Sequence, residues 1–393
     1  MKIGIAGAGI GGLAAAALLA RDGHSVAVFD QFDAPQPVGS GLVIQPVGLS
    51  VLDRIGVGDK ARRLGARISS MFGHEAENHR VVLSVSYGNA PDRKGLGIHR
   101  ATLFSLLLDA AQDAGARLVP SHRVLGREGQ ALRFDDRLSD PFDLIVDACG
   151  AGSHLSPLIS RPLPYGAVWA TVPWPEDSPL PQDRLTQCYR RADRMFGVLP
   201  VGAMPDQPGQ QLAAIFYSLP VSGFEDWSRT GFEHWRQQAI RLWPDFAPFL
   251  GWVAGHDAFT FASYTHGSLA KPYGEGIVHI GDAAHRASPQ LGQGANMALL
   301  DALALQRALA MAEGEEALRL YAGARRWHVA TYQALSASFT PQYQSDSRVL
   351  PVIRDRVLAP MSRIWPVPGI LTRLVCGDLV PPMPALTPVA RGT

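Results

Sequence analysis

The first thirty residues constrain the fold most. Lys2–Ala6 reads KIGIA, a short apolar run of the kind that forms a buried strand, and Gly7-Ala8-Gly9-Ile10-Gly11-Gly12 follows as G-x-G-x-x-G. An Ala/Leu-rich stretch then runs to about Asp22 with helical composition, and Ser25–Phe29 reads as a second strand ending at Asp30. In a strand–helix–strand unit of this kind each glycine has a reason. Gly7 makes the tight turn, Gly9 lets the backbone approach a pyrophosphate, and Gly12 lets the helix pack on the strand. Ile10 and Gly11 open the helix, whose unpaired N–H groups and positive dipole end suit an anion. Asp30 is placed for a ribose hydroxyl pair. A lone G-x-G-x-x-G carries little weight. The complete unit predicts a doubly wound α/β domain that binds a dinucleotide.

A second motif lies near the other end of the chain. Ile277–Ile280 is a short apolar strand, and Gly281-Asp282-Ala283-Ala284-His285 breaks it. Pro289, Gly292, Gln293, Gly294 and Asn296 then lead into an Ala/Leu helix from about Ala295. A carboxylate at a strand end accepts hydrogen bonds from a polyol, and a glycine-rich helix N-terminus faces an electron-rich edge. These are the needs of a flavin, with its ribityl chain beside Asp282 and its pyrimidine edge beside Gly294–Asn296. His285 reads as a structural hydrogen-bonder near the loop rather than a proton-transfer group.

The chain has 393 residues, enough for one large or two interlocked domains with a sizeable core. A formal net charge of +1 with no basic run argues against nucleic acid, which needs clustered Lys and Arg. Three widely spaced cysteines, Cys149, Cys188 and Cys376, fit neither a disulfide framework nor a zinc pattern, so a reducing cytoplasm is the expected compartment. No window is apolar enough for a transmembrane segment. Between about 160 and 273, Tyr165–Val172, Arg194–Leu199, Gln211–Ser218 and Asp257–Tyr264 read as strands, and Phe232–Trp243 as a helix. Met71–Tyr87 adds edge strands, while Arg117–Pro120 and Arg123–Leu125 read as short strands after the Thr102–Gly115 helix. The last sixty or so residues read as helical, broken at Pro341, Pro351, Pro360 and Pro366. Gln45 and Tyr217 are the best polar candidates for a substrate pocket.

In these motifs the chain resembles the single-component FAD-dependent aromatic hydroxylases, the para-hydroxybenzoate hydroxylase-like flavoprotein monooxygenases. Two further stretches carry the likeness. Gly39-Ser40-Gly41-Leu42-Val43-Ile44-Gln45-Pro46 looks like the family's flavin-side loop, and Gly97-Ile98-His99-Arg100 looks like the start of its arginine-bearing helix. The closing segment, with Pro351, Arg354, Pro360 and Cys376-Gly377, is also similar. The resemblance implies an α/β fold with a Rossmann-type FAD-binding domain, a β-rich substrate-binding domain and a helical C-terminal segment. The FAD parts would be 1–70, 96–160 and 274–330, the substrate parts 71–95 and 161–273, and the helical segment 331–393. It implies FAD contacts from Gly7, Gly9, Ile10, Gly11, Gly12, Asp30, Gly41, Arg100, Asp282, Gly292, Gly294, Ala295 and Asn296, and from the Val124 backbone to the adenine. Pro289 lies where the flavin face meets the substrate. The implied activity is hydroxylation of an aromatic or polycyclic small molecule by dioxygen through a flavin C4a-hydroperoxide, with NAD(P)H as reductant. No catalytic base can be named from the sequence.

One departure stands out. The family usually carries Asp-Gly near position 149, then Ser, then an arginine three residues later. Here Cys149 takes the aspartate's place and Ser156 the arginine's, while Gly150 and Ser153 are kept. That element is linked in the family to FAD and NAD(P)H binding, so the substitutions predict slow reduction by NADH and NADPH. Two other readings stay open: an FAD-dependent oxidoreductase of another type, not reduced by NAD(P)H on this chain, and a non-catalytic flavin-containing small-molecule binder.

Overall fold

In the computed structural model, which describes residues 1–33, 40–90 and 93–386, Lys2–Ala6 sits near the middle of a six-stranded sheet. The spatial order is Tyr273–Gly274, Ile277–His279, Leu144–Asp147, Lys2–Ala6, Ser25–Phe29, Arg117–Val119. All neighbours are parallel except the Tyr273–Gly274 edge, as expected of strands joined by crossover helices. The chain moves outward on one side of Lys2–Ala6 and later returns on the other, so the order reverses between Lys2–Ala6 and Leu144–Asp147. That switch point is where an open α/β sheet leaves a crevice at the strands' carboxyl ends. The Ile10–Arg21 helix is buried from Gly12 through Ala20. Its all-round apolar composition follows from packing on the sheet and against the Arg100–Asp113 and Gly294–Met311 helices.

A second sheet of eight strands lies over the crevice. Its order is His285–Arg286, Thr260–Ser268, Arg161–Pro173, Gln207–Pro220, Arg194–Met204, Arg184–Arg190, Ser70–Glu75, Val81–Ser86. The pairing is antiparallel apart from Arg184–Arg190 beside Ser70–Glu75. One face carries a core with Trp227, Trp235, Trp243, Phe246 and Phe249. A three-stranded sheet, Gly41–Ile44, Gly95–His99 and Ala66–Ile68, joins the two parts.

Several expected boundaries move. Arg123–Leu125 is not a strand; pairing begins at Gly126–Glu128, in a hairpin with Ala131–Arg133. The Asp257–Tyr264 strand starts later and runs Thr260–Ser268. Arg184–Arg190 was not expected as a strand. Pro341 does not break its helix, which runs from Gly314 to Tyr343. Proline removes the partner of the Ala337 carbonyl, and side chains support the backbone on either side: Thr340 Oγ1 donates to the Ser336 carbonyl at 2.6 Å and Gln342 Nε2 to that of Ser338 at 3.2 Å. The expected 330/331 boundary therefore falls inside one helix. Pro351 and Pro360 likewise sit in first turns, and the run 350–361 stays helical. The His285–Arg286 strand pairs with Thr260–Ser268, so the loop after Asp282 belongs to both parts. Among the described residues no helix is long and apolar enough to cross a membrane.

Candidate active site

A cavity of about 970 Å³ opens at the switch point and runs beneath the eight-stranded sheet. Gly9, Ile10, Gly11, Gly41, Arg100, Asp282, Pro289, Gly292, Gly294 and Ala295 all line it. The sequence-expected positions from distant parts of the chain thus meet in one place.

The three motif glycines prove unequal. Gly7 has φ +100°, and a Cβ there would lie 2.5 Å from the Ala148 carbonyl oxygen; at Gly12 it would lie 2.0 Å from the Gly7 oxygen. Both are required by the chain's own packing. Gly9 is extended, at φ −75° and ψ −176°, and a Cβ there meets nothing within 4 Å. The fold alone has no need of glycine at this position. The space kept clear lies against the helix start, where the Leu13 N–H makes the first bond back, to Gly9, and the N–H groups of Ile10, Gly11 and Gly12 precede it. No acidic side chain occupies the first turn. A glycine held open beside orphan donors fits a pyrophosphate.

Asp30 ends its strand with a carboxylate that accepts the Ala8 N–H at 2.7 Å and the Phe32 N–H at 3.1 Å. It braces the glycine turn and keeps lone pairs for a ribose. Val124 is buried, and its N–H and C=O bond to no other backbone group among the described residues. Neither residue lines the cavity. Gly39 lies outside the described residues, while a Cβ on Gly41 would strike Val201 at 2.3 Å, so that glycine serves packing as well.

At the other motif, the Asp282 carboxylate faces the cavity with no hydrogen-bond partner among the described residues. Burial raises it above the usual carboxylate range, opposed by His285, Arg100 and Arg286. Burial in turn lowers the Arg100 guanidinium, with Asp282 and Tyr264 opposing. An unpartnered acceptor that shares an open cavity with a cation is suited to polyol hydroxyls. Asp282→Ala is therefore expected to weaken FAD by about 1.5–3 kcal/mol, read by flavin fluorescence titration of apoprotein. Unchanged affinity would remove Asp282 from the site.

The helix from Gly294 has no side-chain cap, and the Met297 N–H is the first to bond back, to Gln293 at 2.8 Å. The N–H groups of Gly294, Ala295 and Asn296 precede that bond. The Asn296 side chain itself is engaged: its oxygen accepts the Gln45 N–H at 2.8 Å, and its nitrogen donates to the Val43 and Gly292 carbonyls at 3.1 and 2.9 Å. It clamps the flavin-side loop to the helix start, so any cofactor contact from Asn296 would come from its backbone.

Two pocket expectations are corrected. Gln45 is fully buried and takes no part in the cavity wall; its Oε1 accepts from the Tyr87 hydroxyl at 2.6 Å. Tyr217 lies on the opposite face of the sheet, in the aromatic core against Phe196 and Trp235 at 5.0 and 5.5 Å. Its strand neighbour Phe216 faces the cavity instead. Side chains alternate along a strand, and the residue with a hydroxyl fell on the helix-covered side.

The cavity wall also holds the aromatics Trp169 and Phe216, of a set expected mostly in the core with two or three members facing the substrate, and one hydroxyl that the sequence did not single out, that of Tyr264. Trp169 lies 4.5 Å from Phe216 between ring centroids, and its Nε1 donates to the Tyr264 hydroxyl at 3.0 Å. Burial pushes the Tyr264 phenol up to about 12, against the pull of Trp169 and Arg100. With its oxygen accepting from Trp169, Tyr264 keeps its own proton to donate into the cavity. Ala262 and Tyr264 line the cavity at period two, but that spacing does not tell a cavity face from a core face.

The Cys149 departure is built into a tight network. Asp147 is fully buried and accepts from the Cys149 N–H at 3.1 Å, Ser153 Oγ at 2.7 Å and His279 Nδ1 at 2.7 Å. Ser156 Oγ donates to the Ala283 carbonyl at 2.5 Å, tying this turn to the Asp282 loop. Burial, with Asp147 nearby, pushes the Cys149 thiol up, so it stays protonated and unreactive at neutral pH. His285 matches its expected structural role: its Nε2 lies 2.6 Å from Asp301.

The profile of a family described as "FAD binding domain" matches residues 1–137 and 256–333. The 6-hydroxynicotinate 3-monooxygenase of Bordetella bronchiseptica is 28% identical over 371 residues, covering 85% of this chain and 90% of that protein. A probable 2-heptyl-3-hydroxy-4(1H)-quinolone synthase of Rhodococcus erythropolis is 26% identical, covering 92% and 91%. Among solved structures, Klebsiella pneumoniae HpxO complexed with FAD and uric acid shares the fold at a TM-score of 0.78 and 20% identity, over 97% of this chain and 98% of that one. The open cradle at Gly9, the unpartnered Asp282 carboxylate and these matches agree: the chain belongs to the FAD-binding-domain family, as one of its flavoprotein aromatic monooxygenases.

Proposed function

We propose that this protein binds FAD along the Gly9 turn and the Asp282 loop, and hydroxylates a planar aromatic or heteroaromatic compound held under the eight-stranded sheet. The observation that carries the reading is the continuity of one cavity. It runs from the cofactor-type glycines to a chamber walled by Met71, Leu83, Val85, Trp169, Met195 and Phe216. Relatives named as 6-hydroxynicotinate 3-monooxygenase and 3-amino-4-hydroxybenzoate 2-monooxygenase support an aromatic substrate. Bound FAD, once reduced, supplies activation of dioxygen for oxygen transfer to an electron-rich ring.

This chain's residues supply the surroundings. The apolar wall excludes water from the reacting carbon. Trp169 and Phe216 present flat faces against which an aromatic ring packs. Gly9 and the Ile10–Gly12 N–H groups would hold the pyrophosphate, and Asp282 the ribityl hydroxyls. Pro289 and the N–H groups of Gly294–Asn296 would border the flavin ring. Tyr264 holds a proton on its phenolic oxygen beside Arg100, where a developing negative charge would be stabilised. Three free cysteines, two of them buried, support a reducing cytoplasm as the compartment. The test is oxidation of NADH or NADPH by the yellow protein, stimulated by an aromatic compound and matched by dioxygen uptake.

Cys149 and Ser156 favour a second reading, an FAD oxidoreductase served by another reductant. If the missing aspartate and arginine normally assist nicotinamide docking, anaerobic reduction by NADH or NADPH will be slow even with substrate present. Chemically reduced enzyme will still react normally with dioxygen. Cys149→Asp, alone or with Ser156→Arg, is then expected to raise the reduction rate in stopped flow. Fast reduction of the unmodified protein by NAD(P)H would remove this second reading.

A further inference from the structure

Away from the Gly9 and Asp282 end, the cavity meets a group of polar atoms outside the cofactor cradle. Arg354 opens a π-helical turn, Arg354–Leu358, that packs against the Val81–Ser86 edge strand, at the opposite edge of the sheet from His285–Arg286. It is 1% exposed and lines the cavity. Its Nε donates to Asp355 Oδ1 at 2.6 Å and its Nη1 to the Gln342 carbonyl at 2.9 Å. Its Nη2 is buried with no partner.

The guanidinium lies 5.1 Å from the ring centroids of both Tyr189 and Tyr343. Both tyrosines line the cavity, and neither hydroxyl has a hydrogen-bond partner among the described residues. Two aromatic faces and two fixed hydrogen bonds hold the guanidinium fork in one orientation. The Arg354 charge is paired with Asp355, but buried N–H groups left without an acceptor are costly, and π-helical turns occur frequently at functional sites. Burial pushes the phenols of Tyr189 and Tyr343 up, so both keep their protons. Asp355 and the Gln342 carbonyl satisfy Nε and Nη1, and the Nη2 group and the two hydroxyls remain as donors with no oxygen acceptor among the described residues.

We propose that Arg354 Nη2, with the hydroxyls of Tyr189 and Tyr343, anchors an oxygen acceptor on the aromatic substrate, a carboxylate or a ring carbonyl. Residues of the C-terminal segment would then set substrate specificity by holding one edge of the ring. This rests on the aromatic-monooxygenase reading and deepens it.

The test uses FAD-loaded protein and three probes: 4-hydroxybenzoate, 4-quinolone and indole. They carry, in turn, a carboxylate, a ring carbonyl and no oxygen acceptor. Binding is read from perturbation of the flavin absorption, and turnover from stimulated NADH oxidation. At least one oxygen-bearing probe is expected to bind roughly 10- to 100-fold more tightly than indole, and which one does so separates carboxylate from carbonyl. Arg354→Lys is expected to erase that preference while leaving indole binding unchanged, because an ammonium lacks the planar fork. Tyr189→Phe and Tyr343→Phe, which remove only a hydroxyl, are each expected to reduce the preference roughly 3- to 10-fold; they decide the matter if Arg354 variants do not fold. A preference unchanged in all three variants, or indole binding as tightly as both oxygen probes, overturns the anchor. If indole still stimulates NADH oxidation in that case, the monooxygenase reading survives. Selective binding with no stimulated turnover would support the anchor and count against the monooxygenase reading.

Discussion

Gly9→Val is expected to give a folded protein that retains no FAD. The backbone at Gly9 is in an ordinary extended conformation, and a Cβ meets no atom within 4 Å, so the side chain costs the apoprotein little. It would, however, fill the space beside the Ile10–Gly12 N–H groups that a pyrophosphate needs. Gly12→Val is the contrasting control. Its Cβ would lie 2.0 Å from the Gly7 oxygen, so the turn itself cannot form, and loss of the fold is expected. Flavin-to-protein absorbance after desalting, with circular dichroism melts, separates the two outcomes. Stoichiometric flavin in folded Gly9→Val would show that the turn is not the pyrophosphate site.

Asp301→Ala is expected to cost stability on a scale that threatens folding. Asp301 is buried and accepts from the Gly281 N–H at 2.9 Å, His285 Nε2 at 2.6 Å and Arg325 Nε at 2.7 Å. Arg325 continues to the Pro382 carbonyl at 2.8 Å and to His328 Nδ1 at 3.2 Å, and His328 Nε2 donates to the Gly377 carbonyl at 2.8 Å. The network ties the Asp282 loop to two helices and the C-terminal segment. Removing its carboxylate strands a buried guanidinium, at about 3–5 kcal/mol, against a typical total of about 5–15 kcal/mol.

The same network predicts acid sensitivity. Burial alone would raise the Asp301 carboxyl, but His285 and Arg325 prevail and hold it well below the usual carboxylate range. Burial, then Arg325, holds His328 down to about 4 from 6.5. A depressed folded pKa means that the unfolded chain takes up the proton first as pH falls. The His328 contribution is thus complete above pH 6.5 and is lost as pH falls towards about 4. The Asp301 contribution is lost only at pH values below its unfolded pKa of about 4. Melting temperature should therefore decline in two stages on acidification, and His328→Gln should flatten the first. A melting temperature flat from pH 6.5 to 4 would contradict the assigned state of His328.

The features legible in the sequence are those in which residue type and spacing encode a backbone requirement. The Gly7–Gly12 turn and the Gly281–Asp282 loop are of this kind, and the structure brings both to one cavity. The alternation from Leu212 to Tyr217 was also legible, but which side faced the cavity was not. That depends on the Phe232–Leu242 helix covering one face, a tertiary fact. Arg184–Arg190 escaped notice because Thr186 to Tyr189 are all buried, so the strand shows no apolar–polar alternation. Pro341 misled because rescue of its helix comes from side chains such as Thr340 and Gln342, which single-residue rules ignore. Arg354 was visible only as part of a similar closing segment. Its placement between Tyr189 and Tyr343 joins residues far apart in the chain, and no local pattern announces it.

The fate of dioxygen distinguishes ring hydroxylation from every other flavin reaction. FAD-loaded protein is turned over with an aromatic compound that it binds, under isotopically heavy dioxygen, and the product is examined by mass spectrometry. The expected product carries one heavy oxygen atom on the ring, with dioxygen uptake matching the product formed. An oxidised product without the heavy atom, its electrons recovered as hydrogen peroxide, would contradict ring hydroxylation.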